Sequence, residues 1–150
     1  MHRRLCTLAS ILAIVCLVAS VVEAAPGFGL KDVDGPTAFD FDGFVTVLVG
    51  TTPTTVPAAS MGRFVADGAG NITDGVRTLV AGGVAVPQTF TCTYTVNSDG
   101  TGSATCTVTT AGLPNSVETF DFVIVERRKE AFFTSTTPGA TLRGRTKRQQ

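Results

Sequence analysis

The sequence predicts an all-β domain, a single antiparallel up-and-down barrel of about eight strands, with a two-sheet β-sandwich as the alternative. Three observations lead to this prediction. Beyond residue 25 no window has the apolar spacing of an amphipathic helix, and Gly, Thr and Val dominate the composition. Turn-forming residues recur roughly every 8–15 positions. The 125 residues from 26 to 150 are enough chain for eight short strands and their turns.

Residues 1–25 are predicted to be a signal peptide, and residues 26–150 a single barrel domain. Two arginines precede an almost unbroken apolar run over residues 5–22, and Ala24 and Ala25 offer small residues for cleavage. An uncleaved membrane anchor is the alternative, because about 18 apolar residues can just span a bilayer. We therefore expect an exported protein, periplasmic or extracellular, with no membrane contact after cleavage.

The first three predicted strands cover residues 39–47, 61–67 and 72–81. In the first, Phe39 and Phe41 share one face, and Asp40 and Asp42 lie on the other. The second places Phe64 on an apolar face and then runs into an Asp-Gly-Ala-Gly turn. In the third, the alternation of apolar and polar residues is ambiguous.

The fourth and fifth predicted strands, residues 89–97 and 102–110, form a hairpin with its turn centred on Asp99. Each strand alternates apolar and hydroxyl side chains with the period of two that a half-buried strand requires. In this register Cys92 lies opposite Cys106 on the apolar face, so we predict a disulfide between them. Metal binding by the two thiols is the alternative, and it lacks a histidine partner.

The last three predicted strands cover residues 117–126, 130–136 and 140–146. In the first of these, Phe120, Phe122 and Ile124 lie on one face. Val123 and Val125 lie on the other face, which indicates either burial on both faces or an interface with another molecule.

Charge is distributed unevenly along the chain. Residues 26–126 contain three basic and ten acidic residues, whereas residues 127–150 contain seven basic residues and one acidic residue. A basic tail can bind nucleic acid, but here the aromatic residues align with Val and Ile and not with Lys or Arg, so we expect no nucleic-acid partner. Closure of a barrel offers another explanation, because it makes the first and last strands neighbours. Closure would place outward acidic residues beside outward basic ones: Asp40 and Asp42 beside Arg143, Arg145 and Lys147.

Three stretches carry a resemblance to known proteins: GRFVADGAGNITDG, FTCTYTVNSDGTGSATCTVTT and ETFDFVIVERRKEAFFTSTTPGATLRGRTKRQ. The chain resembles a group of small secreted bacterial proteins with repeated Asp-Gly-x-Gly hairpin motifs. It also looks like the closed barrels of the calycin and allene-oxide-cyclase types. The resemblance covers roughly residues 37–149. Because the shared motifs are turn motifs, the resemblance implies a fold and no particular activity.

The predicted domain contains no histidine, which removes the commonest general base and metal ligand. Asp40 and Asp42 are expected to face solvent, as is Asp121 on its half-exposed strand. The turns at Asp67 and Asp99 supply too few oxygen ligands for calcium. We therefore expect a protein that is not an enzyme and that holds neither a metal nor a cofactor.

Two functions are favoured, a third is kept as an alternative, and the oligomeric state is not predicted. The first is binding of a small apolar molecule in the barrel interior. The second is a structural or interaction role in the bacterial cell envelope, with a packed barrel. A cavity enzyme of the cyclase type is third, and its candidate polar groups are Tyr94 or an inward Asp121. The predicted ligand-binding residues are Phe39, Phe41, Phe64, Phe90, Tyr94, Phe120 and Phe122.

Overall fold

The computed structural model describes residues 27–150, so the predicted signal peptide lies outside the described residues. Eight antiparallel strands form one closed barrel, in which each strand pairs with the next and the last pairs with the first. The strands are β1 (Asp34–Val49), β2 (Thr52–Asp67), β3 (Asn71–Ala81), β4 (Val84–Val96), β5 (Thr101–Thr110), β6 (Ser116–Glu126), β7 (Glu130–Ser135) and β8 (Ala140–Arg148). The predicted up-and-down barrel is confirmed, and the β-sandwich alternative is wrong.

The first two strands are longer than the sequence predicted, at 16 residues each. β8 pairs with β1 only as far as Val45, and β3 pairs with β2 only from Ala58 onward. Residues 46–57 therefore form a two-stranded hairpin that projects beyond the barrel wall. Pro53 and Pro57 hid this part of β2 from a strand prediction, because proline is normally excluded from central strands.

The β4–β5 hairpin has the predicted register. Cys92 pairs with Cys106 across the two strands, and a disulfide joins them with the Cα atoms 4.0 Å apart. Both cysteines are buried in the barrel interior, where they belong to the apolar core. The disulfide therefore connects two strands that are already neighbours in the sheet.

The barrel closes where β1 meets β8, and charged pairs mark this seam. Asp40 lies opposite Arg145 and Asp42 opposite Arg143. The shortest oxygen–nitrogen distances are 3.1 Å and 3.7 Å, and all four side chains are exposed. Exposed pairs of this kind contribute more to register than to stability. The prediction holds for the two arginines, whereas Lys147 lies further along the seam, opposite Ala38 and next to Glu130 of β7.

A β-bulge near the start of β3 explains why its alternation was ambiguous. Both Ile72 and Gly75 are buried, although they are three positions apart, because the pairing register with β4 shifts between them. One extra residue in a strand reverses which side chains face inward. After the bulge, Arg77 and Leu79 point into the barrel.

The outer face of β6 is exposed. Val123 and Val125 are 39% and 47% exposed, so the expectation of burial on both faces is wrong. A closed barrel of one sheet buries only its inner face, and within residues 27–150 no second layer covers β6. Asp121 also points outward and is exposed, as expected.

The two ends of the barrel carry different parts of the chain. The terminal end carries the β2–β3, β4–β5 and β6–β7 turns, and residues 27–33 cover it. The hydroxyl of Tyr94 donates hydrogen bonds to the carbonyl oxygens of Val33 (2.7 Å) and Leu30 (3.3 Å). The distal end carries the other four turns. Within residues 27–150 no helix is long and apolar enough to cross a membrane.

Candidate functional site

The barrel interior contains a cavity of about 110 Å³, lined almost entirely by apolar side chains. All of the aromatic residues that the sequence analysis placed in the interior line it. They are Phe39, Phe41, Phe64, Phe90, Tyr94, Phe120 and Phe122. The structure thus brings the predicted residues together around one space. It also adds Phe133, which the sequence analysis did not select.

Phe39 is at the centre of the aromatic lining. Its ring centroid lies 5.7 Å from that of Phe90, 6.0 Å from Phe64 and 6.5 Å from Phe133. The rings of Phe90 and Phe133 meet it edge to face, which is a favourable arrangement for aromatic pairs. These contacts hold the walls of the cavity in one arrangement.

Glycines in the wall do not enlarge the cavity, because aromatic rings lie over them. A Cβ atom at Gly75 would be 2.4 Å from the ring of Phe90, and one at Gly144 would be 2.6 Å from the ring of Phe133. Each glycine thus gives its space to a neighbouring ring. This packing explains why a barrel with many small wall residues retains only a small cavity.

The polar part of the cavity lining is the ion pair between Arg77 and Glu118. The two guanidinium Nη atoms donate to the two carboxylate oxygens at 2.8 and 2.5 Å. Arg77 Nε donates to the side-chain oxygen of Gln88 at 2.7 Å, and Gln88 donates to Thr110 at 2.8 Å. The side chain of Arg77 is 4% exposed and that of Glu118 is 20% exposed. The pair is therefore buried and bidentate, the geometry in which arginine binds a carboxylate most strongly.

Aromatic rings surround the guanidinium group of Arg77. Its carbon atom lies 5.6 Å from the ring centroid of Phe41 and 6.0 Å from that of Phe90. A cation over an aromatic face is stabilised by the ring quadrupole, most of all where water is excluded. The charge of Arg77 is thus compensated by a carboxylate and by two rings.

The hydroxyl of Tyr94 is a further polar group of the cavity wall, and burial raises the pKa of this hydroxyl above its ordinary value. This hydroxyl is already used, because it donates to backbone carbonyls of the segment that covers the terminal end. These hydrogen bonds hold that segment in place against the barrel end.

Among the lining residues that were not predicted from the sequence, Arg77 and Glu118 are charged and Phe133 is aromatic. Glu118 shares the inward parity of Phe120 and Phe122, so alternation along β6 could have found it. Phe133 could not be distinguished from the adjacent Phe132, which is 50% exposed on the outer face. Nothing in the local sequence announced the bulge that turns Arg77 inward.

The two Asp-Gly-x-Gly turns are held by their aspartates. Asp67 accepts hydrogen bonds from the side-chain amide of Asn71 (2.7 Å) and from the backbone amides of Asn71 (2.9 Å) and Ala69 (2.7 Å). Asp99 accepts from the hydroxyl (2.7 Å) and the backbone amide (3.0 Å) of Thr101. These hydrogen bonds to the charged form lower the pKa of both carboxyl groups. In residues 27–150 no group of three or more potential ligands forms a metal site.

Comparison with known proteins gives one similar structure. No family model matches the chain, and no curated protein matches it. A solved structure titled "Structure of EF1p2_mFAP2b bound to DFHBI" superposes with a TM-score of 0.52 at 12% sequence identity, covering 79% of this chain and 95% of that one. At this level of identity the similarity shows the fold, and together with the closed eight-strand topology it fits a calycin-like barrel.

Proposed function

We propose that this protein binds a small apolar molecule inside its barrel and is not an enzyme. The observation that carries the proposal is an apolar cavity of about 110 Å³ in the barrel interior, lined largely by aromatic rings. An apolar cavity of about 150 Å³ in another protein stays dry and binds benzene. The cavity of this barrel suits a molecule of about that size or slightly smaller. The structure of EF1p2_mFAP2b bound to DFHBI supports ligand binding by a barrel of similar fold.

The size of the cavity restricts the ligand class. Sites for drug-sized ligands have volumes of about 300–1,000 Å³, so a larger ligand would enter only if aromatic side chains changed rotamer. Phe120, Phe122 and Phe133 are half-buried, unlike Phe39 and Phe64, and are therefore the lining rings with most freedom to move. A compact aromatic or aliphatic molecule needs no such rearrangement.

The polar groups of the interior support a binding role without catalysis. Both carboxylate oxygens of Glu118 accept hydrogen bonds from Arg77, and the hydroxyl of Tyr94 donates to backbone carbonyls. A general acid or base must be free to exchange a proton with its substrate. The contacts that occupy these groups favour structural roles for them.

We further propose that the protein works outside the cytoplasm, in the periplasm or the extracellular space. The disulfide between Cys92 and Cys106 supports this location, because disulfides persist in oxidising compartments and are rare in reducing ones. The signal-peptide pattern of residues 1–25 points to the same compartment.

A benzene titration followed by NMR tests the binding proposal. We expect saturable shifts in the methyl signals of lining residues such as Ile72 and Val108. Ala104→Leu places an added isopropyl group in the cavity and should abolish these shifts. Ala85→Leu makes the same change on the exposed face of β4 and should leave them intact.

Two results would contradict the proposal. One is the absence of saturable shifts in the wild-type protein at high benzene concentration. The other is unchanged binding by a folded Ala104→Leu variant. If Ala104→Leu fails to fold, xenon binding to the wild-type protein tests the proposal instead. The NMR signals that shift on addition of xenon must then belong to residues of the cavity lining. A negative result would favour the second candidate function, an interaction role in the bacterial cell envelope through the outer surface of a packed barrel. The observation that favours this candidate is the small volume of the cavity, about 110 Å³.

A further inference from the structure

Charge is absent from the distal end of the barrel. Each of the four distal turns lies within a longer stretch of chain that contains no charged residue. These stretches are residues 43–62, 78–98, 100–117 and 131–142. The turns of the terminal end, in contrast, carry Asp67, Asp99 and the run from Arg127 to Lys129. The barrel is therefore polarised along its axis, with one charged end and one uncharged end.

Large apolar side chains are exposed on three of the four distal turns. Leu48 and Val49, at the tip of the projecting hairpin, are 71% and 62% exposed. Val84 in the β3–β4 turn and Leu113 in the β5–β6 turn are each 65% exposed. Exposed apolar residues also occur on the barrel wall, as at Met61 and Phe132, but most of them lie at this uncharged end, and such a concentration marks an interaction surface.

The projecting hairpin is poorly suited to pairing with another strand. The carbonyl of Pro57 accepts from Gly82, so alternate residues of β2 direct their backbone groups outward at this edge. Two of these outward positions, Pro53 and Pro57, have no N–H to donate. On the β1 edge the backbone amide of Thr46 donates to the carbonyl of Gly139, so the next outward N–H along this edge is that of Leu48. Recognition by strand addition, whether by a peptide or a second copy, is therefore disfavoured.

We propose that the distal end rests on a lipid surface with neutral headgroups, with the apolar tips inserted at its edge. The exposed leucines and valines lie on three separate turns, and Leu48 and Val49 lie on the hairpin that projects beyond the other two. A fluid surface can surround separate tips, whereas a stable protein interface needs a continuous packed patch. Because this end carries no charge, a neutral surface complements it and binding should not depend on salt.

This proposal replaces the expectation of no membrane contact. It does not rest on ligand binding in the cavity, because the side chains involved lie outside the barrel. It also differs from anchoring by the N-terminal apolar run, because residues 27–33 lie at the opposite, terminal end of the barrel. There the backbone amide of Phe28 donates a hydrogen bond to the carbonyl of Ser98.

Tryptophan scanning tests the proposal on the full chain, which has no tryptophan of its own. Leu48→Trp and Leu113→Trp place the fluorophore on two distal turns. Val125→Trp is the matched control, an exposed apolar position on the barrel wall that is 47% exposed. With phosphatidylcholine vesicles, we expect a blue shift and quenching by brominated lipid at positions 48 and 113 and neither effect at 125.

Charge insertion provides the second readout. Leu48→Asp should weaken partition into phosphatidylcholine vesicles about tenfold, because burying one leucine is worth at least that factor. Equal quenching at all three tryptophan positions, or none at 48 and 113, would overturn the proposal. So would a concentration-dependent dimer that forms without vesicles and is lost in Leu48→Asp, because a second copy would then cover this end.

Discussion

The buried ion pair between Arg77 and Glu118 gives the sharpest prediction for stability. Glu118→Gln keeps the shape of the side chain and one acceptor oxygen but removes the negative charge. The guanidinium of Arg77, only 4% exposed, then stays charged without its counter-ion. Breaking a buried pair from one side costs about 3–5 kcal/mol. Because one acceptor and two aromatic rings remain, we expect a loss near the lower limit, about 3 kcal/mol in the free energy of unfolding.

The assay is equilibrium unfolding in urea or guanidinium chloride, followed by fluorescence of Tyr94 or by circular dichroism. Asp74→Asn is the matched control, since Asp74 pairs with Arg63 at 3.1 Å with both side chains about half exposed. Neutralising that exposed pair should cost at most about 1 kcal/mol.

A double substitution completes the test. Arg77→Met combined with Glu118→Leu removes both charges and keeps similar volume, so it should restore stability to within about 1 kcal/mol of the wild-type protein or exceed it. Equal losses for Glu118→Gln and Asp74→Asn would refute the claim that this pair is desolvated. A double variant less stable than Glu118→Gln would show that the network with Gln88 contributes more than charge compensation.

Three further predictions concern the disulfide, alkaline pH and acid pH. Replacing Cys92 and Cys106 with alanine should lower the free energy of unfolding by about 3 kcal/mol, because the disulfide closes a loop of about 15 residues in the unfolded chain; denaturant unfolding measures it, and no loss would contradict it. Burial raises the pKa of Tyr94 in the fold above the unfolded value near 10.0, so its stabilisation is complete below pH 10 and is lost as pH rises through the folded-state pKa. Tyr94→Phe should remove this alkaline decline, and unfolding curves at increasing pH would show whether it persists. Hydrogen bonds lower the pKa of Asp67 below 3.8, so its stabilisation is present above that pH and is lost as pH falls through the folded-state pKa. Asp67→Asn should flatten this acid dependence, and an unchanged acid profile would contradict the role of the turn.

Much of the fold could be predicted from the alternation of apolar and polar side chains along each strand. The period of two in β4 and β5 located both strands and paired Cys92 with Cys106, because side-chain parity and a short turn together determine the register. The opposite charges on β1 and β8 indicated which strands meet at closure. The strand limits near Pro53 could not be found in this way, since those residues pair on one side only.

The site was harder to predict than the fold, for physical reasons. The aromatic lining was identified because side chains alternate between the two faces along a strand without a bulge, so inward positions can be counted from the sequence. Arg77 was missed because the extra residue in β3 reverses parity, and a bulge has no strong local signature. The cavity volume was not predictable either, because it depends on how the rings of Phe90 and Phe133 lie over Gly75 and Gly144.

The seam between β1 and β8 has a consequence for how the chain folds. Every other strand pair is a local hairpin, whereas the contact between Asp40 and Arg145 joins residues 105 positions apart in sequence. Contacts of such long sequence separation form slowly. Until they form, β1 and β8 are open edges that could pair with other molecules. Charged residues on an open edge discourage such pairing. The same side chains that align the closed barrel thus protect the nascent chain from aggregation before closure.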